Sequence, residues 1–346
     1  MKGTVAVLFG GCSSEYGVSL ESAYSVSNAI STETYNRIMV GITQGGDWYL
    51  YEGPLELIPK DTWQAKGPCS PAQISLQRKD HGLLVWRDGQ MECIRLDAVL
   101  PILHGKNGED GTVQGICELA GIPVIGCGSL SSALCMDKHR AHLLAKQAGV
   151  EVPRGYCYEA GTPVEQIQRE AKALEYPLFV KPLRAGSSYG ITKVDTGEKL
   201  EKAVEQAFSY DSVIVVEELV DGFEVGCAVV GREELITGRA DEIELSKGFF
   251  DFTEKYTLKT SKIHMPARVD LETESRIQET AKKIYRALGC SGFARVDLFL
   301  KPDGSLVFNE VNTIPGFTSH SRFPNMMKGV GYSFEEIVEL LLEEGL

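Results

Sequence analysis

Phe293-Ala-Arg-Val-Asp-Leu-Phe-Leu-Lys-Pro-Asp-Gly-Ser-Leu-Val-Phe-Asn-Glu-Val-Asn-Thr-Ile-Pro-Gly316 reads as two apolar strands joined at Pro302-Asp303-Gly304, residue types that mark a hairpin turn. Side chains alternate along a strand, so Arg295 and Asp297 share one face of the first strand and Glu310 and Asn312 one face of the second. If Asp303-Gly304 is a two-residue turn, Asp297 faces Glu310 and Arg295 faces Asn312; a longer loop shifts this register by a residue. Facing carboxylates repel, and burying them is costly. Magnesium resolves the conflict, because it takes oxygen ligands from one or two carboxylates and completes its shell with water and phosphate. The hairpin is thus expected to be a magnesium–phosphate platform, against the plainer alternative of a solvated face with a surface ion pair.

Working outward, the bulk properties narrow the class. A chain of 346 residues can hold two or three domains. Its formal net charge of -13 argues against nucleic-acid or anionic-membrane partners. The nine cysteines are odd in number, scattered and without a CxxC pair, as expected of reduced thiols in a cytoplasm. No signal peptide or membrane-spanning run is visible.

The first third alternates strand and helix patterns, which predicts a parallel α/β domain with ligands at the strand C-terminal ends. Thr4–Phe9 is a buried-type strand that ends in Gly10-Gly11-Cys12-Ser13-Ser14-Glu15, with a helix from about Val18. GxGxxG is absent, so this corner is not the dinucleotide fingerprint. Glu15 there can meet a cationic amine, or simply favour a helix start. Asp97–Leu103 is a second such strand, leading into His104-Gly-Lys-Asn-Gly-Glu-Asp-Gly111 and a helix from Thr112. His104, between strand and glycines, is either a ligand contact or a structural histidine.

Ser131–Gln147 reads as one helix carrying Lys138, stopped by Gly149. A strand then ends in Lys181 and gives way to Arg184-Ala-Gly186-Ser187-Ser188-Tyr189-Gly190. Backbone N–H groups of such a loop can cradle phosphate beside Lys181, although the spacing is not that of a Walker loop. The strand Val213–Val216 ends in Glu217 and Glu218, acids that can accept from an adenine amine or a ribose, or merely face solvent. Further strands are expected over Gly226–Val230 and from Glu234 to about Glu242. Residues 245–265, dense in Phe, Tyr and Lys, read as a lid. A helix over Glu272–Leu288 feeds the hairpin, and a polar loop and a helix near Phe334–Leu342 follow Gly316.

These parts describe a magnesium–nucleotide site outside the P-loop class. In order along the chain, Phe9-Gly-Gly-Cys-Ser-Ser-Glu15, the run from His104 to Gly115, Met136-Asp-Lys138, Lys181-Pro, Gly186-Ser-Ser188, Lys255-Tyr256, Arg295-Val-Asp297 and Phe308 to Gly316 resemble the D-alanine–D-alanine ligase family of the ATP-grasp superfamily. The resemblance implies an α/β chain, α+β in its central and C-terminal parts. The expected divisions are an N-terminal pre-ATP-grasp domain (1–130), a central ATP-grasp subdomain (131–224) and a C-terminal one (225–346) with the lid and metal platform. It implies ATP as substrate, two magnesium ions with manganese able to substitute, a D-alanyl phosphate intermediate, a homodimer and a cytoplasmic location.

By match to the family's motifs, Lys138, Lys181, Glu217, Val220 and Glu224 are expected to contact the nucleotide, and Ser188 and Lys255 its phosphates. Asp297, Glu310 and Asn312 are expected to ligate the metals. Glu15 and His104 would hold the first D-alanine, and Glu15, Ser187 and Tyr256 would orient substrate and lid. Arg295 and the Gly316 N–H would stabilise a tetrahedral oxyanion, and Ser321 would hold the second substrate's carboxylate. Asp241, Phe250 and Arg322 together resemble the D-alanine–D-serine subgroup, the VanG type associated with glycopeptide (vancomycin) resistance. The expected product is therefore D-alanyl-D-serine for altered peptidoglycan precursors. The alternatives are a housekeeping D-alanine–D-alanine ligase, another ATP-grasp carboxylate–amine ligase and a nucleotide-binding non-enzyme.

Overall fold

The structure, a computed structural model, describes residues 2–184, 186, 190–245 and 261–346. Val5 to Phe9 are all fully buried, as suits a central strand covered on both faces. This strand, β1 (Gly3–Gly10), pairs in parallel with β2 (Tyr35–Ile42) and β7 (Ala98–Pro101). The sheet then continues beyond β2 in antiparallel fashion through β3 (Trp48–Tyr51), β4 (Cys69–Ile74), β5 (Gly82–Arg87) and β6 (Gln90–Arg95). The N-terminal sheet is therefore mixed, parallel only around β1, where Glu15 and His104 follow strand ends.

A second, four-stranded sheet has the order β10-β9-β11-β8. Its strands are β8 (Gly155–Glu159), β9 (Leu178–Pro182), β10 (Thr192–Val194) and β11 (Val213–Glu218). A third sheet has the order β15-β14-β12-β16-β17, with β13 attached to β12. It comprises β12 (Phe223–Gly231), β13 (Leu235–Thr237), β14 (Asp241–Leu245), β15 (Ser261–His264), β16 (Phe293–Leu300) and β17 (Leu306–Asn312). The single strand expected over Glu234–Glu242 is thus two, and the end of the expected lid, 261–264, is a strand.

The helix expected over Ser131–Gln147 is two helices, Ser129–Met136 and Lys138–Gln147. Asp137 breaks it: in an extended conformation, its carboxylate accepts from the Arg140 N–H at 2.9 Å and caps the second helix. The amphipathic helix Leu271–Ala287, capped by Asp270, buries Ile277, Ala281 and Ile284 against the third sheet. A capping box, Ser333 with Glu336, starts the last helix, Phe334–Gly345. Between them, Phe317 and Phe323 pack on Phe293 with centroids 5.8 and 5.7 Å away. Each buried ring contributes about 2 kcal/mol, which fixes the segment from Gly316 to Arg322 against the hairpin. All nine cysteines are free thiols. Among the described residues, no helix is long and apolar enough to cross a membrane.

Candidate active site

The hairpin β16–β17 places Asp297 opposite Glu310 and Arg295 opposite Asn312. Two deviations from the simplest turn cancel to give this register. Leu300 pairs with Leu306, so residues 301–305 form a five-residue loop, and Leu298 pairs with Phe308. A bulge then leaves Asn309 unpaired and returns Glu310 to face Asp297.

The Asp297 carboxylate, 1% exposed, accepts from Arg295 Nη2 at 2.7 Å and Arg295 Nε at 2.9 Å. It also accepts from Asn312 Nδ2 at 2.9 Å. Arg322 Nη2 lies 3.3 Å from it. Arg322 forms a two-pronged bond to Asp241, at 2.7 and 2.8 Å, and donates through Nη1 to Glu224 at 2.8 Å. Burial alone would lower both guanidiniums, but Asp297 for Arg295 and Asp241 for Arg322 hold them above their ordinary range.

The strand β12 makes room for this knot. Gly226 is the cross-strand partner of both Asp241 and Asp297. A Cβ there would come 2.4 Å from Arg322 Nη2, so only glycine leaves space for the guanidinium. Gly226 was not expected to matter; its one sequence signal is a glycine inside an apolar strand.

A cleft of about 490 Å³ runs between the second and third sheets, bordered by Lys138, Lys181, Glu217, Val220, Glu224 and Glu310. It thus brings together every expected nucleotide contact that the structure describes, next to Glu310, one of the expected metal ligands. Lys181 Nζ donates to Glu217 Oε2 at 2.7 Å. Burial pushes Glu217 up, but Lys181, with His142 and Lys138, keeps it below the usual carboxylate range. Lys138 Nζ is 3.9 Å from Glu310 Oε2. Glu218 is held by Arg154, and Arg184 by Asp211.

A second cavity of about 480 Å³ is bordered by Glu15, His104, Glu109, Arg295, Gly316, Ser321 and Arg322. His104 faces it with both nitrogens engaged: Nδ1 donates to the Ile314 carbonyl at 2.8 Å, and Nε2 meets Ser22 Oγ at 3.2 Å. Burial lowers this imidazole below its ordinary value, against the pull of Glu15. It ties the glycine loop to the segment leading to Gly316. Ser321 Oγ accepts from the Thr318 N–H at 3.0 Å. A Cβ on Gly186 would lie 2.9 Å from Glu15 Oε2, which places that glycine of the Gly/Ser loop against Glu15. Ser187, Ser188, Phe250, Lys255 and Tyr256 lie outside the described residues.

Glu109 was part of the quoted glycine-rich run but had no assigned role. It accepts from the Gly105 N–H at 2.7 Å, and burial, followed by the nearby Glu15, pushes it up to about 8. Glu15 and Glu109 line the same cavity, and a cationic amine there would favour the ionised form of both.

The hairpin fits a divalent cation. Asp297, Glu310 and Asn312 supply oxygen donors only. Here Asp241, Asp297, Glu224 and Glu310 are four acids against the three bases Arg295, Arg322 and Lys138, the last 3.9 Å from Glu310. Among the described residues, no cluster of three or more His, Cys, Asp or Glu is arranged to hold a metal. Two carboxylates and an amide need phosphate and water to complete a shell.

Known proteins match the chain along nearly its whole length. The family model described as D-ala D-ala ligase N-terminus matches residues 4–127, and that described as D-ala D-ala ligase C-terminus matches residues 144–343. Vancomycin B-type resistance protein VanB of Enterococcus faecalis is 46% identical over 98% of this chain and 97% of its own. A putative D-alanine–D-lactate ligase of Streptomyces coelicolor is 45% identical over 99% of this chain and 97% of its own. The crystal structure of the VanG D-Ala:D-Ser ligase from Enterococcus faecalis matches with a TM-score of 0.93 at 56% identity, covering 100% of both chains. The chain belongs to the D-alanine–D-alanine ligase family and is an ATP-dependent ligase of the ATP-grasp fold.

Proposed function

We propose that the protein joins D-alanine to D-serine. The observation that carries this reading is Arg322, on the wall of the second cavity and held from behind by the buried Asp241, in a chain 56% identical to a D-Ala:D-Ser ligase. The pair fixes a guanidinium as a rigid polar wall. A wall built for a hydroxyl rejects a substrate lacking it by leaving buried polar groups unpaired. A housekeeping D-alanine–D-alanine ligase is the second reading, favoured by the family models that match the chain.

In this proposal ATP lies in the 490 Å³ cleft, with Lys138 and Lys181 on its phosphates and Val220 at its base. Asp297, Glu310 and Asn312 would hold magnesium, which neutralises charge on the phosphates when bound. The first D-alanine places its ammonium by Glu15. Its carboxylate oxygen attacks the γ-phosphorus, the bond to the β-phosphate oxygen breaks, and D-alanyl phosphate and ADP form. The amine of the second substrate then attacks the acyl carbon. Arg295 and the Gly316 N–H receive the oxyanion, phosphate leaves with the bonding pair, and the proton shed by the amine passes to that departing phosphate. Ser321 holds the second carboxylate. Ser187, Ser188, Lys255 and Tyr256 are proposed to complete the set.

The central prediction is ADP release that needs D-alanine and accelerates with D-serine. An Arg322→Met variant should lose at least tenfold in kcat/KM for D-serine. If D-alanine fails to support ADP release in the wild type, the ligase assignment fails; if R322M leaves D-serine use unchanged, the specificity assignment fails.

A further inference from the structure

We propose that His142 is a positioning residue that couples the nucleotide cleft to the metal-facing hairpin, by fixing the bulge that sets the Asp297–Glu310 register. The proposal rests on the ligase reading above. His142 sits one turn after Lys138 on the helix Lys138–Gln147. Its Nε2 lies 2.8 Å from the carbonyl of Asn309, the bulged residue. A carbonyl can only accept, so Nε2 carries the proton. On the ring's other side, Nδ1 is 3.6 Å from Glu217 Oε1, too long for a hydrogen bond, and that buried oxygen has no hydrogen-bond partner among the described residues. Phe308 packs edge-on against the ring at 5.3 Å.

The bulge needs such a holder. The five-residue loop alone would carry the Leu298–Phe308 pairing onward and set Asp297 opposite Asn309. The extra residue is what turns Glu310 toward Asp297, and its carbonyl is taken by His142. The same ring rests against Glu217, which fixes Lys181 in the cleft. One side chain thus aligns the phosphate-binding lysine with the metal-binding carboxylates. Because neither contact touches a substrate, its effect is on alignment.

The test compares H142Q, whose amide nitrogen can reach the Nε2 position, with H142N, whose amide cannot, and with H142L. Magnesium–ADP affinity is measured by titration calorimetry, with kcat and KM for ATP alongside. Outer-shell partners of metal sites are worth about 10–100-fold, so H142L and H142N should lose at least about tenfold in magnesium–ADP affinity. H142Q should stay within about threefold of the wild type. Equal affinity in all three, or H142Q as weak as H142L, would overturn the proposal. Should the variants fail to fold, the imidazole nitrogen spectrum of the wild type decides: an Nε2–H tautomer supports it and an Nδ1–H tautomer overturns it. Wild-type protein that binds magnesium–ADP but makes no dipeptide would sink the ligase reading and leave this contrast measurable.

Discussion

Gly226→Ala tests whether the buried charge knot is assembled as described. The added Cβ would stand 2.4 Å from Arg322 Nη2, 2.8 Å from Asp241 Oδ1 and 2.9 Å from Asp297 Oδ1. Unstrained contacts begin at about 3.5 Å, so Arg322 must retreat by about 1 Å. Its bonds to Asp241 and Glu224, now 2.7–2.8 Å long, would then lie outside hydrogen-bonding range. Overpacking costs about 1–3 kcal/mol, and losing one partner of a buried ion pair costs about 3–5 kcal/mol. Replacing a strand glycine returns roughly 0.5–1 kcal/mol, and partial relaxation lowers the penalty. The expected net loss is about 2–4 kcal/mol, a fall of roughly 5 °C in thermal midpoint. Gly115→Ala is the control, because its Cβ meets nothing within 4 Å and a helical glycine gains stability on this change. Thermal unfolding followed by circular dichroism reads both. A G226A midpoint within 1 °C of wild type would refute the knot.

Three other outcomes are expected. Glu109, pushed up to about 8 from 4.5 by burial and Glu15, holds a proton that the unfolded chain has lost; the stability it contributes is complete below about pH 4.5 and is lost as the pH rises through about 8. D-alanine binding at pH 7 should therefore expel close to one proton, seen as a buffer-dependent heat in calorimetry; a heat independent of buffer would contradict it. Lys181→Met strands Glu217, 1% exposed, and should cost about 3–5 kcal/mol in urea unfolding as well as ATP binding. Glu310→Gln removes one hard ligand and should weaken magnesium–ADP binding at least tenfold, with little change in thermal midpoint.

Much of the candidate site's geometry was legible because its residues sit at strand ends and on one hairpin face. Period-two alternation placed Arg295 with Asp297 and Glu310 with Asn312, and a strand followed by a glycine run marked Glu15 and His104. The bulge at Asn309 was not legible: a loop length and an irregularity that cancel leave no trace in an alternating pattern. Asp137 divided a helix because a capping carboxylate overrode continuous helical periodicity. The knot among Arg322, Asp241 and Glu224 joins residues 81 and 98 apart in sequence; the β12–β14 register sets Asp241 beside Gly226, and packing of the helix Arg322–Lys328 on β12 brings in the guanidinium. Gly226 and Glu109 matter through the space and burial that the fold creates, which composition does not carry.

The most direct measurement is competition between acceptors. Purified protein receives ATP, magnesium, D-alanine and an equal concentration of D-serine, and the dipeptides are resolved by mass. Mostly D-alanyl-D-serine is expected, shifting toward D-alanyl-D-alanine in R322M. Predominant D-alanyl-D-alanine from the wild type would contradict the assignment of D-serine.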